Sequence, residues 1–325
     1  MALCYNRSWL ACGLVGGWKV GLMSSENWRF ELVGKPYGGI SEGPVWDGES
    51  ILFPHIQSSA IMSYSPESGK ITEWRSGTNH TNGLAWDGEG RLFGACSGAR
   101  CILRFDPDGV NVAVVDGVDG QKLNTPNDLV VDRNGRIWWT NPWNAANIDP
   151  SEVEELDNRS VLMAAPHTDG RYFVKRVTFD TTMPNGILVS IDQKTLYVAE
   201  SNSDRLDIDR ELRAYPINDD GSLGSYTVLH TFGKDANAVH RGIDGMCLDA
   251  DGNIVATAGW PTAGPGPMIY VFSPTGRVLE THPIACTRPT NCCFGGRDMT
   301  TLYVTSTDGH LYRAETDRVG WGIYP

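Results

Sequence analysis

The 325-residue sequence has no cluster of basic residues. Lys and Arg number 27 against 39 Asp and Glu, which gives a formal net charge of −12 at pH 7. Nucleic acids and anionic membranes are bound mainly through basic surfaces. We therefore expect neither nucleic acid nor membrane as a partner.

Long apolar runs are also missing. No stretch reaches the ~20 apolar residues of a membrane span. The short apolar run within residues 1–23 is interrupted by Lys19 and resembles a signal peptide only faintly. We expect residues 1–26 to form a poorly ordered N-terminal extension, and residues 27–325 to form one domain.

The eight cysteines show neither a CxxC motif nor the paired Cys/His spacing of a zinc site. A chain of this length does not need a disulfide framework. Reduced thiols and a cytoplasmic location are the expectation. Monomer and small homo-oligomer both remain open.

Turn-forming residues are abundant and helical periodicity is not. The chain has 37 Gly and 18 Pro, and its 41% hydrophobic content argues against disorder. A hairpin unit, in which two apolar strands flank a polar turn, occurs six times. Its copies are GPVWDGESILF (43–53), GLAWDGEGRLFGA (83–95), DLVVDRNGRIWWT (128–140), GILVSIDQKTLYVAE (186–200), GMCLDADGNIVATA (245–258) and FGGRDMTTLYVTS (294–306).

A second strand-and-turn element follows each hairpin, as in IMSYSPESGK (61–70). Successive units start 40 to 59 residues apart, a spacing typical of propeller blades. The fold class predicted is therefore all-β, a six-bladed β-propeller with four-stranded blades around a central channel. We expect WRFELV (28–33) to complete the sixth blade. The longer loops, at 141–160, 201–210 and 232–243, should lie on one face.

Each repeat places an oxygen-bearing side chain just before its first strand, where a propeller's channel opens. These residues are Glu42, Asn82, Asn127, Asn185, Asp244 and Thr290. Asn and Asp before Gly are also ordinary turn residues. Glu42 before Gly-Pro is poorly explained as a turn former, however, and the recurrence favours a shared site.

Two carboxylates and two amides make a donor set of oxygen atoms with a charge of −2. Glu42, Asn127, Asn185 and Asp244 are thus predicted ligands of one divalent metal ion. Oxygen ligands favour a hard ion, so Ca²⁺ is the leading candidate and Mg²⁺, Mn²⁺, Zn²⁺ or Fe²⁺ are alternatives.

The sequence resembles the SMP-30/gluconolactonase/luciferin-regenerating-enzyme family of six-bladed propellers. The resemblance covers nearly all of 36–312. The matching phrases are SEGPVW (41–46), TNGLAWDGEGRL (81–92), NTPNDLVVDRNGRIWWTNP (124–142), MPNGILVSIDQKTLYVAES (183–201), GIDGMCLDADGNI (242–254) and PTNCCFGGRDMTTLYVTS (289–306).

The resemblance implies the same four metal ligands and hydrolysis of sugar lactones or other lactones. Family members that act on sugar lactones often carry Arg where this chain has Thr125, and Asp where it has Asn141. In the first repeat, Pro54-His55 stands after the second strand, where family members often have an Asp. These departures put a sugar-acid lactone in doubt. Together with Trp260, the residues Trp143 and His55 could form a more aromatic pocket, although aromatic residues in strands more often serve packing.

The predicted function is metal-dependent hydrolysis of a small lactone. Asp244 is the predicted general base, and Glu42 is a ligand that could share this task. The predicted substrate contacts are Thr125, His80, Asn82, Asn141, Trp143 and His55. His80 could equally be a structural histidine.

Four other interpretations compete with this predicted function. A phosphotriester or other ester hydrolase could use the same metal site. The protein could also be a non-catalytic binding scaffold, or the metal could have a purely structural role. A serine triad is disfavoured because no G-x-S-x-G is present.

Overall fold

A computed structural model describes residues 27–34, 38–202, 205 and 207–322. The predicted extension at 1–26 lies outside the described residues. The chain enters through a short strand, β1 (Glu31–Leu32). Six four-stranded antiparallel sheets account for this strand and nearly all the others.

The strands of the first three blades follow in chain order. Blade one contains β2 (Val45–Trp46), β3 (Ile51–His55), β4 (Ala60–Ser65) and β5 (Lys70–Ser76). Blade two contains β6 (Thr81–Trp86), β7 (Leu92–Cys96), β8 (Cys101–Phe105) and β9 (Asn111–Val115). A separate hairpin follows, β10 (Gly117–Val118) with β11 (Gln121–Lys122). Blade three contains β12 (Leu129–Val131), β13 (Ile137–Thr140), β14 (Val161–Pro166) and β15 (Tyr172–Arg176), with a 3-10 helix at Ala145–Asn147.

The last three blades repeat the pattern. Blade four contains β16 (Pro184–Val189), β17 (Thr195–Glu200), β18 (Arg210–Pro216) and β19 (Thr227–Phe232). Blade five contains β20 (Ile243–Leu248), β21 (Ile254–Trp260), β22 (Ala263–Phe272) and β23 (Val278–Pro283). Blade six contains β24 (Pro289–Gly295), β25 (Thr301–Ser306), β26 (Leu311–Glu315) and β1. The six-bladed propeller predicted from the repeats is confirmed.

Strand β1 closes the ring as predicted. Glu31 pairs with Arg313 and Leu32 with Tyr312 in antiparallel register. The outer edge of blade six is therefore built from the N-terminal part of the propeller, whereas its other strands come from the C-terminal part. This pairing joins the two ends of the ring and covers the outward edge of β26.

The core is divided among the seams between neighbouring blades. Because side chains alternate across a strand, adjacent residues in a central strand enter opposite seams. Trp138 packs between blades three and four, whereas Trp139 packs between blades two and three. Ile51 and Leu52 divide in the same way between the two seams of blade one. All four side chains are buried.

The inner strand of each blade begins at the same end of the channel, which we call the upper face. The strands of each blade alternate in direction, so β13, β17 and β19 end on that face. The connections that follow β13, β17 and β19 therefore start on the upper face, as predicted for the longer loops 141–160, 201–210 and 232–243; positions 203, 204 and 206 lie outside the described residues. The β10–β11 hairpin was not predicted, although its Asp119-Gly120 turn, with both φ angles positive, is a local hairpin signal.

A cavity of about 1080 Å³ occupies the channel below the upper face. Its wall includes Trp46, Trp86, Met246, Phe294 and Trp321. Polar and apolar groups contribute to this wall in similar measure. Asp128 and Asn291 lie at its upper boundary.

Candidate metal centre

The four predicted ligands lie at the upper ends of inner strands in four blades. Glu42 lies just ahead of β2, Asn127 just ahead of β12, Asn185 within the start of β16 and Asp244 within the start of β20. The Asn185 side chain is hydrogen bonded to the Asp244 carboxylate, and the charge of Asp244 acts on Glu42. Residues from blades one, four and five thus meet at the channel mouth. The Asn127 carbonyl accepts from Gly83 N at 2.8 Å, which ties blade three to blade two at the same end of the channel.

Glycines allow the inner strands to approach this closely. A Cβ on Gly83 would lie 2.5 Å from Asp128 Oδ1, and one on Gly186 would lie 2.5 Å from Asp244 O. Neither position has room for a side chain. The Gly that follows Asn82 and the Gly that follows Asn185 are therefore required by the close contact between blades.

Three carboxylates share the buried end of the channel. Glu42, Asp128 and Asp244 are exposed by only 6%, 6% and 5%. Burial, followed by the charge of Asp244, holds the pKa of Glu42 well above its usual range. Burial also raises the pKa of Asp244. It raises the pKa of Asp128 to about 7. The three groups repel one another when ionised, so a cation bound among them is favoured.

The donor chemistry at this site fits a hard divalent ion. Within the described ranges, no group of three or more His, Cys, Asp or Glu side chains is set out to hold a metal. A metal here would therefore be held by Glu42 and Asp244 with the neutral amides Asn127 and Asn185. Asp128 adds negative charge from one side.

Asp128 and Asn291 form a bridge across the channel that sequence reasoning did not assign to the site. Asn291 Nδ2 donates to Asp128 Oδ2 at 3.3 Å, which joins blade six to blade three. The Asp128 carboxylate also accepts from the backbone N–H groups of Leu129 and Ile187. The Asn127-Asp128 phrase and Asn291 were visible in the repeats. Their contact across the ring was not.

Arg241 is the other residue that sequence reasoning missed. One of its terminal nitrogens donates to the Asp244 carboxylate, and the other donates to Pro289 O at 2.8 Å. Arg241 lies in the connection between blades four and five, outside the repeated hairpin. A comparison of the repeats therefore gives it no signal.

Two predicted substrate contacts, His80 and Asn82, reach the same face from blade two. His80 has a φ of +57° and follows Asn79, whose φ is +52°. Two consecutive left-handed residues are uncommon outside glycine. The His80 Nδ1 atom lies 2.9 Å from Ile56 O, so Nδ1 carries a proton and donates to that carbonyl; in the neutral ring Nε2 is then an acceptor. Asn82 is buried beside Gly43.

Three of the remaining predicted contacts hold loops together. The Thr125 hydroxyl donates to Pro142 O at 2.7 Å and accepts from Asn144 N at 2.8 Å. Trp143 lies under the Arg100 guanidinium at 5.2 Å, and His55 Nδ1 lies 2.6 Å from Ser58 Oγ. Their predicted contacts with substrate stay predictions.

Asn141 is different because it is fully buried. Its amide nitrogen and oxygen have no hydrogen-bond partner in the part of the chain that the structure describes. Such a group usually bonds to water or to a ligand. Its predicted role as a substrate contact is compatible with this burial.

Two further observations concern the whole chain. The six described cysteines, Cys96, Cys101, Cys247, Cys286, Cys292 and Cys293, are free thiols. None of the helices among the described residues is long and apolar enough to cross a membrane.

Fold and site together define a class, a six-bladed β-propeller with an acidic, oxygen-lined channel mouth suited to a divalent metal. The profile of the SMP-30/Gluconolactonase/LRE-like region matches residues 40–308. The chain belongs to this family, and the resemblance seen in its motifs is confirmed.

Individual relatives agree with this assignment. The gluconolactonase of Zymomonas mobilis is 30% identical over 302 residues, covering 86% of this chain and 79% of the relative. Regucalcin of Xenopus laevis is 27% identical and covers 82% of this chain and 83% of its own. A solved gluconolactonase from Xanthomonas campestris superposes with a TM-score of 0.75 at 25% identity, covering 91% of this chain and 92% of the other.

Proposed function

We propose that this protein is a metal-dependent lactonase that opens the ester bond of a small lactone. The observation that carries the proposal is the meeting of Glu42, Asp244 and Asn185 at the mouth of the channel. The relatives named gluconolactonase support the class, a lactone-hydrolysing hydrolase, which agrees with the class predicted from the sequence.

The metal we propose is Ca²⁺, held by Glu42, Asn127, Asn185 and Asp244. Ca²⁺ takes six to eight oxygen ligands and accepts flexible geometry, so four protein ligands leave positions for water and substrate. Bound there, a divalent ion supplies Lewis acidity toward the lactone carbonyl. Mg²⁺, Mn²⁺, Zn²⁺ and Fe²⁺ remain the alternatives to be compared.

Asp244 is the proposed general base. Burial raises its pKa, which brings its basicity closer to that needed near neutral pH. Asn185 orients this carboxylate through its hydrogen bond. Glu42 faces Asp244 from blade one and would share the negative charge of the site.

The substrate would approach from the upper face. There His80 Nε2 can accept a hydrogen bond from a substrate hydroxyl, and Asn82 offers an amide from the same blade. The long connections of blades three, four and five surround this face and would exclude bulk water from part of a bound molecule.

A hydrolysis assay tests the proposal. Protein stripped of metal is refilled with each of the five ions and assayed with a pH indicator on gluconolactone, xylonolactone, γ-butyrolactone and dihydrocoumarin. Metal-dependent turnover is expected. Turnover of a phosphotriester without any lactone would instead assign the site to ester chemistry of another kind, and no turnover with retained partner binding would support a scaffold.

The variant Asn185→Ala separates a catalytic from a structural metal. We expect kcat/KM to fall about 100-fold or more, with little change in Tm. Asn134→Ala is the matched control, because Asn134 is an exposed turn residue between β12 and β13 at the opposite end of the strands. A large loss of Tm with retained turnover would contradict the catalytic role.

A further inference from the structure

Cationic side chains gather beside the metal centre on one side only. Arg241 contacts Asp244 directly, and the charge of Arg288 also reaches that carboxylate. Arg241 lies in the connection from blade four to blade five and Arg288 just ahead of β24 in blade six, in a chain whose net charge is −12. One arginine would neutralise the charge of Asp244, whereas two arginines lie beside this group of three buried carboxylates.

Each arginine is positioned by groups other than a carboxylate. Arg241 donates to the carbonyl of Pro289 at 2.8 Å, which fixes the guanidinium plane from blade six. The Arg288 guanidinium lies over the Trp260 ring at 5.2 Å from its centroid. Among the described residues no carboxylate forms an ion pair with Arg288. Its charge is therefore available to a ligand.

Arg241 donates to the carboxylate that is also a proposed metal ligand, Asp244. If Asp244 held a divalent ion, the N–H donors of Arg241 that it now accepts would be available to a ligand at the channel mouth. A guanidinium presents its donors in a planar fork that matches the two oxygens of a carboxylate. Such donors would lie beside the proposed metal ligand Asp244.

We propose that Arg241 and Arg288 form an anion-binding subsite that selects lactones carrying a carboxylate group. The inference rests on the proposed lactonase function and deepens it. At position 125, where family members that act on sugar lactones often carry Arg, this chain has a Thr whose hydroxyl is bonded to Pro142 and Asn144. In the proposed subsite Arg241 and Arg288 supply the cation instead.

Binding without turnover provides the first test. Calorimetry compares D-glucarate, a dicarboxylate, with D-gluconate, which has one carboxylate, on the Ca²⁺-loaded wild type, Arg241→Gln and Arg288→Gln. We expect wild type to bind glucarate at least tenfold more tightly. Either variant should lower that preference to below threefold. Equal affinity of the wild type for both ligands would overturn the subsite.

Calcium affinity of the same variants provides the second readout. Removing the competing guanidinium in Arg241→Gln should tighten Ca²⁺ binding several-fold. Arg171→Gln is the control for a lost arginine, since the Arg171 side chain is 83% exposed and forms its ion pair with Asp169 in the turn between β14 and β15. Unchanged Ca²⁺ affinity in Arg241→Gln would show that the two cations do not compete.

Measurements of turnover distinguish failure of the subsite proposal from failure of the lactonase proposal. The ratio of kcat/KM for D-glucaro-1,4-lactone to that for D-glucono-1,4-lactone is expected to be at least ten in wild type and to fall about tenfold in each variant. Equal hydrolysis of both lactones, unmoved by the variants, rejects the subsite and keeps the lactonase. Hydrolysis of neither, with glucarate preference intact, rejects the lactonase and keeps the subsite.

Discussion

Single residues at the channel mouth are held by the backbone that follows them. Glu42 Oε2 accepts from Gly43 N at 3.1 Å and Asn291 Oδ1 from Cys292 N at 2.8 Å. Asp128 Oδ1 accepts from the next residue's N–H in the same way, at 2.9 Å. Each of these side chains is therefore directed by its own strand before any partner across the ring is considered.

His240 is a buried neutral histidine near the site. Its Nδ1 accepts from Gly242 N at 3.0 Å, and its ring stacks on Phe232 with centroids 4.6 Å apart. Burial, followed by the charges of His230 and Arg241, lowers its pKa to about 4. Protonation would therefore oppose folding.

This pKa gives the first prediction. Between pH 6.5 and about 4 the unfolded chain binds a proton that the folded protein excludes, so stability is complete above pH 6.5 and falls as pH drops. From pH 7 to pH 5 we expect His240 to cost about 2 kcal/mol. Urea unfolding at the two pH values should show a smaller loss in His240→Asn, which keeps an acceptor. Equal losses in both proteins would contradict the assignment.

Ion pairs between elements fix the end of the ring. Arg318 follows β26 and donates to Asp249 at 2.6 Å, in the turn between β20 and β21, and also to Glu280 in β23. The Asp249 side chain is 2% exposed and that of Arg318 is 12% exposed. Blade five is thus tied to the chain that leaves blade six.

We predict that Arg318→Leu lowers the free energy of unfolding by about 3 kcal/mol, because Asp249 is left buried without its cation. Arg171→Leu removes an exposed pair and should cost less than about 1 kcal/mol. Chemical denaturation of both variants checks the difference. A similar small effect in both would mean that the bridge contributes little.

The closing strand depends on one aromatic anchor. Trp28 precedes β1, stacks on His282 with ring centroids 3.9 Å apart, and donates from Nε1 to Asp317 at 3.1 Å. The side chain is buried although it lies close to the start of the described chain. It holds β1 against both blade five and blade six.

Trp28→Ala is therefore expected to destabilise the protein by about 3 kcal/mol and to loosen β1. Hydrogen exchange should show faster exchange in β1 and β26 than in other blades. Val153→Ala is the control, since Val153 is 64% exposed. Uniform exchange across all blades would indicate that β1 is held without this anchor.

The molecule as a whole carries its densest buried negative charge in the channel. Glu42, Asp128 and Asp244 come from blades one, three and five, so their mutual repulsion acts across the ring rather than within one blade. A cation bound among them would relieve that repulsion in all three blades. Metal binding and ring stability should therefore be coupled.

We expect Ca²⁺ at about 100 times its Kd to stabilise the fold by about 2.7 kcal/mol. Because folding raises the pKa of Glu42 and of Asp244, the stability of the metal-free protein depends on pH. Without metal, stability is highest while these groups stay protonated and falls as pH rises through their folded pKa values. Calorimetry should show that the difference in Tm between the Ca²⁺-loaded and the metal-free protein increases as pH rises. A difference in Tm that does not change with pH would argue against these ligands. In Glu42→Gln the difference in Tm should be smaller than in wild type.

The sequence by itself determined the number of blades and the hairpin in each blade, because strand alternation and turn residues act between near neighbours in the chain. It also indicated the strand that closes the ring, since the last repeat needs a partner and WRFELV (28–33) precedes the first repeat, although the pairing joins Glu31 to Arg313 at opposite ends of the chain. It also placed Glu42, Asn127, Asn185 and Asp244 at equivalent points of different repeats, since a repeated unit puts equal positions at one end of the channel.

Only the tertiary structure decided which groups face one another across that channel. Arg241 reaches Asp244 from a connection outside the repeats, and Asn291 reaches Asp128 from the opposite side of the ring. Thr125 is turned into its own loop by two hydrogen bonds. These outcomes depend on loop paths and on contacts between distant blades, which no local pattern encodes.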